Sequence, residues 1–476
     1  MRHKIDDAAT KPHSRERGWL RDNGATDETD VDLSGLSMGQ TPPTEDPAGD
    51  TAPPQPKPGV PKHASDPGPF PEELLAVPGF IGQVIAYNLR TATKPQPVLA
   101  LAGAIALQAV LAGRKVRDER GNRTNIYCVG LAGSGAGKDH ARKINKNVLF
   151  AAGLDAHDGC EDLASDAGLV AAVEQEPAIL FQMDEFGRFL RTISDPKKSP
   201  HLFNIVSALM KLYSSADTVF KGKAYANSAM NKYIDQPCVS IYGTTVPQHF
   251  WAALTPESLA DGFVARLSIF EGERWVPRQR TPAEAVPASI LTIARWWGSF
   301  SPGGNLQREH PQPILVPATD AANEIFDELA ATVDIESRHS EIAAAVWARC
   351  EEKACRLALV YACSKNPENP IVDEHAARWA CELSSYMTRL VMFKATDWVA
   401  ENVFDGQQKR ILRIIRDAGG TINRSVLCRK TQYLNRRERS DLLTNLVETG
   451  ALIETSTATQ TKSILTYTLG QSGGFQ

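Results

Sequence analysis

Residues 126–139 read Ile126-Tyr-Cys-Val-Gly-Leu-Ala-Gly-Ser-Gly-Ala-Gly-Lys138-Asp139, and the fold turns on how this stretch is read. The apolar run Ile126 to Val129 predicts a buried strand. It breaks into a turn carrying Gly133, Gly135 and Gly137, ends on Lys138, and gives way to a helical pattern from His140 to Phe150. Strand, glycine turn, lysine and helix together hold the phosphates of a nucleoside triphosphate. The glycines let backbone N–H groups turn toward phosphate oxygens. The helix N-terminus adds partial positive charge, and Lys138 adds a full one. Phosphate contacts are therefore expected from Ala132, Gly133, Ser134, Gly135, Ala136, Gly137, Lys138, Asp139 and His140. The common form of such a turn is G-x-x-x-x-G-K-[ST]. Here Ala132 stands in its first slot and Asp139 in its last. A carboxylate can hold Mg²⁺ directly or through water, so Asp139 is a candidate metal ligand. Without the metal it would repel the phosphates.

Further along, Pro177-Ala-Ile-Leu-Phe-Gln-Met-Asp-Glu-Phe-Gly187 runs apolar residues into Asp184-Glu185, about 45 residues after the lysine. Beside a phosphate turn, Asp184 would hold the Mg²⁺ shell and Glu185 would orient and deprotonate an attacking water. The alternative is an Asp-Glu turn capping the next helix. A third strand, Cys238 to Tyr242, leads to Gly243-Thr244-Thr245-Val246-Pro247. Thr244 or Thr245 is placed to touch the γ-phosphate or the water, unless the pair caps the helix near Gln248–Leu254. Arg266, in Asp261-Gly-Phe-Val-Ala-Arg266-Leu, precedes a fourth strand, Leu267 to Phe270. It is either an internal salt-bridge partner or a finger reaching a neighbour's nucleotide, with Arg274 and Arg278 as runners-up. Arg349, Lys353 and Arg356 share one helix face. Arg349 or Arg356 would contact the γ-phosphate from a lid, or the face is solvated and paired with Glu351 and Glu352.

At 476 residues the chain is long enough for several domains. Its net charge of −4 does not mark a nucleic-acid binder, so local charge decides. Eight scattered cysteines form no C-x-x-C pair, which argues for reduced thiols and against zinc. The start of the chain has no apolar leader segment. The most apolar stretch, Val98 to Ala112, falls short of the roughly 20 residues of a membrane span. A buried helix, no membrane partner and a cytoplasmic location are the expectation. Residues 1–69 carry 8 Lys/Arg against 12 Asp/Glu and are proline-dense, so a disordered acidic tail is expected, either a plain linker or a partner-binding arm. Residues 70–125 read as an N-terminal helical segment. Residues 126–275 alternate strands and helices, as a parallel α/β sheet does, and 276–400 read as a helical lid. Residues 470–476 read as a frayed end.

Residues 405–476 carry 11 Lys/Arg against 6 Asp/Glu. Helical periods at 407–418, 423–430 and 436–449, followed by strands at 452–455 and 463–469, fit a winged helix over 405–469. Arg436, Arg437 and Arg439 open the third helix, where side chains enter a major groove, and Lys462 lies on the wing. Within the α/β part, Lys221 and Lys223 could grip nucleic-acid phosphates, with Tyr225 offering a stacking face, or form an exposed basic loop with no partner.

With these residues in view, the chain resembles the AAA+-type helicase modules of phage, prophage and satellite-element replication proteins, known as primase–helicases. The matching features are Gly133-Ser-Gly-Ala-Gly-Lys-Asp139, Ser165-x-x-Gly168-Leu169, Met183-Asp-Glu-Phe-Gly187, Gly243-Thr-Thr-Val-Pro247 and Asp261-Gly-Phe-Val-Ala-Arg266-Leu, over roughly residues 71–400. The resemblance implies a P-loop (AAA+-like) NTPase core, ATP and Mg²⁺, a hexameric ring, Arg266 acting in trans, and the 221–225 segment as a hairpin pointing into the ring pore. A priming half is missing from residues 1–69. The implied function is an ATP-driven DNA helicase or translocase in replication of a mobile element. The alternative is an ATP-switched initiator or DNA-binding regulator that does not unwind.

Overall fold

The computed structural model describes residues 64–193, 200–224, 226–227, 231–302, 310–400, 403–458 and 463–470. Their strands, in chain order, are β1 (Val116–Arg117), β2 (Tyr127–Leu131), β3 (Ala178–Met183), β4 (Val219–Lys221), β5 (Tyr233–Asp235), β6 (Cys238–Thr245), β7 (Leu267–Glu271), β8 (Ile314–Leu315), β9 (Thr421–Asn423), β10 (Leu452–Ala458) and β11 (Ser463–Leu469).

Four of them make the central sheet, in the order β3-β6-β2-β7 and all parallel. Their residues are almost wholly buried, which is why they read as unbroken apolar runs: helices cover both faces of such a sheet. The connection from β2 leaves toward β3, while the one from β6 returns past β2 to β7. The chain paths diverge at the β2/β6 seam, and the crevice outside the carboxyl ends of such strands is where open α/β sheets bind ligands.

The helix Pro97–Ala112 is apolar all round because it is buried all round, from Leu99 to Ala112. The Tyr242 hydroxyl, from β6, donates to Leu99 O at 3.1 Å, and Asn145 Nδ2, from the helix His140–Ala152, donates to Gly103 O at 3.0 Å. Among the described residues, no helix is long and apolar enough to cross a membrane.

Most described residues from 288 to 400 are helical, but the one helix expected to carry Arg349, Lys353 and Arg356 is broken at the first of them. Arg349 leaves the helical path (φ −112°, ψ 6°) between Glu341–Trp347 and Cys350–Lys365, where its guanidinium turns to Glu352. These helices do not stand apart from the sheet. One hydrophobic core runs from Leu74 to Val399, so neither 125 nor 275 marks a break in packing. At the closest approach, Gly79 has φ +74°, and a Cβ on it would lie 1.8 Å from Ser364 O.

A second, separate core joins Ile411, Ile415, Leu427, Leu442, Leu443, Leu446 and Tyr467. Around it lie the helices Val403–Arg416, Arg424–Lys430 and Arg436–Glu448 and a three-stranded antiparallel sheet in the order β10-β11-β9. Of the expected tails, residues 1–69 and 470–476, the inner ends are packed rather than loose: Ala64 lies against the main core, the Tyr386 hydroxyl donates to Gly68 O at 3.2 Å, and Gly470 N donates to Ala451 O at 3.0 Å. Residues 1–63 and 471–476 lie outside the described residues.

Candidate functional site

The turn after β2 leaves the sheet at its carboxyl edge. Ala132 N donates to Thr245 O at 3.2 Å, and Gly272 N donates to Leu131 O at 2.8 Å, so flanking strands fix where it starts. Gly135 (φ 67°) and Gly137 (φ 90°) take left-handed conformations. A Cβ on Gly137 would lie 2.4 Å from Lys94 O, so glycine is needed there for space as well as for backbone path. Lys94 Nζ donates to Gly135 O at 2.6 Å, and Gln96 Nε2 donates to Ala136 O at 3.1 Å and Glu273 O at 2.9 Å. The backbone amides of Ser134, Gly135, Gly137, Lys138 and Asp139 have no hydrogen-bond partner among the described residues. Open amides of this kind at a helix N-terminus are what an anion takes up. His140 sits to one side, its Nε2 3.0 Å from Thr91 Oγ1, and burial and then Lys143 push its pKa down.

Lys138, 8 % exposed, meets the end of β3. Its Nζ lies 2.9 Å from Asp184 Oδ1, 3.2 Å from Glu185 Oε1 and 3.5 Å from Asp139 Oδ1. Burial works against the Lys138 charge, but the hydrogen bond to Asp184 and the nearby carboxylates outweigh it and raise its pKa. Burial likewise disfavours the Asp184 charge, yet Lys138, the Glu185 amide and Arg142 outweigh it and hold the pKa below the usual range. Glu185 occupies the left-handed region, with φ 49°. That conformation strains a non-glycine residue by roughly 1–2 kcal/mol. It lets the backbone turn so that Asp184 and Glu185, adjacent in sequence, both aim at Lys138. The helix starting at Phe186 follows directly, with Arg188 N donating to Glu185 O at 2.7 Å.

The two threonines separate as neighbouring strand residues do. Thr244 Oγ1 lies 3.3 Å from Asp184 Oδ1 and 3.5 Å from Asp139 Oδ1. Thr245 Oγ1 is buried on the other side, against Gly187, with no hydrogen-bond partner among the described residues. Neither caps a helix: the helix Pro247–Trp251 starts after Val246, without a side-chain cap.

Arg142 also belongs to this cluster, its Nη2 3.0 Å from Asp139 Oδ1 and 3.1 Å from Asp184 Oδ2. No motif marks it. The usable signal was its place three residues after Asp139, on the same helix face. The oxygens of Asp139, Asp184 and Thr244 thus converge on one point. Hard oxygen donors of this number suit Mg²⁺, which takes one or two carboxylates and fills its shell with phosphate and water. Among the described residues, no group of three or more His, Cys, Asp or Glu is arranged to hold a metal by itself.

Arg266 and Arg349 lie elsewhere. Arg266 ends the short helix Phe263–Arg266, just before the amino end of β7, whereas Lys138 follows the carboxyl end of the parallel β2. About 16 Å of strand separates the two ends. Arg266 Nη1 donates to Gly262 O at 2.8 Å and Nη2 to Ser214 Oγ at 3.3 Å, and burial and then Arg349 push its pKa down. Of the expected charged helix face, Arg349 pairs with Glu352 at 2.6 Å, while Lys353 and Arg356 are buried. Arg356 donates to Asn125 O at 2.9 Å and Tyr213 O at 3.1 Å, so it is a packing group rather than a lid contact.

The basic segment forms the antiparallel pair β4–β5. Lys221 is exposed, Lys223 pairs with Asp166 at 2.7 Å, and Lys232 pairs with Glu174 at 2.7 Å. In the C-terminal module Arg436 and Arg437 are exposed. Arg439 instead folds back: its Nε donates to Thr431 Oγ1 at 2.9 Å and its Nη2 to Thr431 O and Leu434 O, both at 2.9 Å. It braces the turn before its own helix. Tyr225 and Lys462 lie outside the described residues. Comparison with models of known protein families gave no match, and comparison with curated proteins gave none.

Proposed function

We propose that this chain is an ATP-driven DNA helicase or translocase: a P-loop ATPase of the AAA+ type working as a ring in replication of a mobile element, with a C-terminal winged helix on duplex DNA. One observation carries the reading. Lys138 sits 2.9 Å from Asp184 and 3.2 Å from Glu185, at the carboxyl edge of a parallel sheet and beside a turn of open amides.

In this reading the turn amides and Lys138 hold the phosphates. Glu185 takes the proton from a water whose oxygen attacks the γ-phosphorus, and the bond to ADP breaks. Thr244 lies where it can touch that water or the γ-phosphate. Mg²⁺ beside Asp139 and Asp184 would draw off charge on the phosphate oxygens. Arg266, at the far end of its own sheet, would complete the site only if a neighbouring copy in a ring supplied it.

The test is hydrolysis, assembly and unwinding. ATP hydrolysis stimulated by single-stranded DNA is expected. Lys138→Ala abolishes nucleotide binding, and Glu185→Gln slows turnover by roughly 10²–10⁴-fold while ATP still binds. A strict monomer whose hydrolysis ignores DNA would overturn the motor. The exposed Arg436 and Arg437, on a module with its own core, also suit an ATP-switched initiator or regulator. DNA-dependent assembly without strand displacement on tailed duplexes would favour that second reading.

A further inference from the structure

Arg142 stands on the first turn of the helix His140–Ala152 and is 9 % exposed. One guanidinium nitrogen, at 3.0 and 3.1 Å, ties Asp139 to Asp184. Asp139 is the residue that departs from the common ending of a phosphate turn, where a neutral hydroxyl stands. At that place a carboxylate faces the phosphates of the proposed ATP, and like charges a few ångströms apart repel strongly in a partly buried site.

We propose that Arg142 is a positioning residue matched to Asp139: it neutralises and aims the aspartate, so that the pair does what a single hydroxyl does in the common turn. The inference rests on the ATP reading. It follows from placement. Arg142 reaches the cluster from the helix below the turn, and its nearly buried stem keeps the head in place. Its Nη2 carries two N–H groups and lies within reach of both carboxylates. By holding Asp184 with the same nitrogen, it also keeps the end of β3 in register with the turn. Lys138 is then not the sole cation balancing three carboxylates and can share its charge with an incoming phosphate.

Four variants test this: Arg142→Gln, Arg142→Lys, Asp139→Ser and the double variant Asp139→Ser/Arg142→Gln. Each is measured for ATP binding without Mg²⁺, for kcat and KM with Mg²⁺, and for melting temperature. Arg142→Gln is expected to weaken Mg²⁺-free ATP binding about tenfold and to lower kcat, because Asp139 is left bare. Arg142→Lys falls between it and the wild type. The double variant regains binding to within about threefold of the wild type, a coupling that independent sites do not show. An Arg142→Gln variant that matches the wild type in affinity and kcat overturns the pairing. So does a double variant no better than Arg142→Gln alone. If Arg142→Gln does not fold, a folded double variant with restored affinity supports the pairing, and a folded one without it overturns it. A wild-type chain that binds no ATP removes the nucleotide reading and this inference together, an outcome distinct from a wild type and Arg142→Gln that bind equally well.

Discussion

Lys115 carries an ammonium group into the interior: it is 6 % exposed and donates to the Trp297 carbonyl. Burial pushes its pKa down to about 8, with Glu176 offsetting only part. The folded protein therefore holds this proton less tightly than the unfolded chain, whose lysine titrates near 10.5. Stability should rise with pH from about 8 toward 10.5, and below that window the whole penalty of about 3 kcal/mol is present. Lys115→Met is thus expected to be more stable than the wild type at pH 7, with the advantage shrinking by pH 10. Denaturant melts at both pH values check this, and an advantage equal at the two would sink it. Single residues were legible in the sequence where backbone order alone placed them. Lys138, Asp184 and Glu185 follow from a glycine turn and an apolar run ending in acids. Long side chains were not legible, because their direction depends on neighbours brought in from elsewhere. Arg142 turns inward to two carboxylates, and Arg439 turns back to Thr431.

Among elements, the C-terminal module was the most legible, because its helices and strands alternate at their own periods within a short span. The strand Thr421–Asn423 escaped, being only three residues long and held by β11. The misreading nearest the site concerned β6, expected to end at Tyr242 but continuing to Thr245. Gly243 made its end look like a loop. The ring of Phe186 explains the glycine: a Cβ there would lie 2.7 Å from it. The helix Arg436–Glu448 is capped by Asn435 and Glu438 in a reciprocal box, and Arg439 locks the turn ahead of it. Opposite outcomes follow for neighbouring arginines. Arg439→Ala should destabilise the module by about 1–3 kcal/mol, since the carbonyls it serves lose a charged donor. Arg436→Ala and Arg437→Ala should leave stability alone. If the helix lies on DNA, each should weaken duplex binding and lower the salt slope by about one. Fluorescence anisotropy over a salt series, beside thermal melts, separates the two classes. An unchanged slope in both exposed variants would take this helix off the DNA.

Across the whole molecule the parallel α/β class was readable, but the division into helical segment, ATPase core and lid was not. Helices from both flanks share one hydrophobic core with the sheet, and sharing of that kind leaves no mark in composition. The same architecture fixes how far apart two charges stand. Lys138 follows the carboxyl end of β2 and Arg266 precedes the amino end of β7, so the parallel pairing of the two strands keeps them at opposite edges. No side-chain rotation closes a gap of about 16 Å. If Arg266 serves hydrolysis, it does so on a neighbour, and subunit mixing tests that directly. Glu185→Gln supplies an intact arginine but a dead site, whereas Arg266→Gln supplies an intact site but no arginine. Each alone should be nearly inactive. Mixed in equal amounts and allowed to exchange, they should recover about a quarter of wild-type ATPase activity, the share of interfaces at which a good site meets a good arginine in a head-to-tail ring. Melting temperatures must stay close to the wild type, since Arg266 also bonds Gly262 and Ser214 within its own chain. Folded partners that exchange yet recover nothing, or an Arg266→Gln protein fully active by itself, would leave the arginine a purely internal brace.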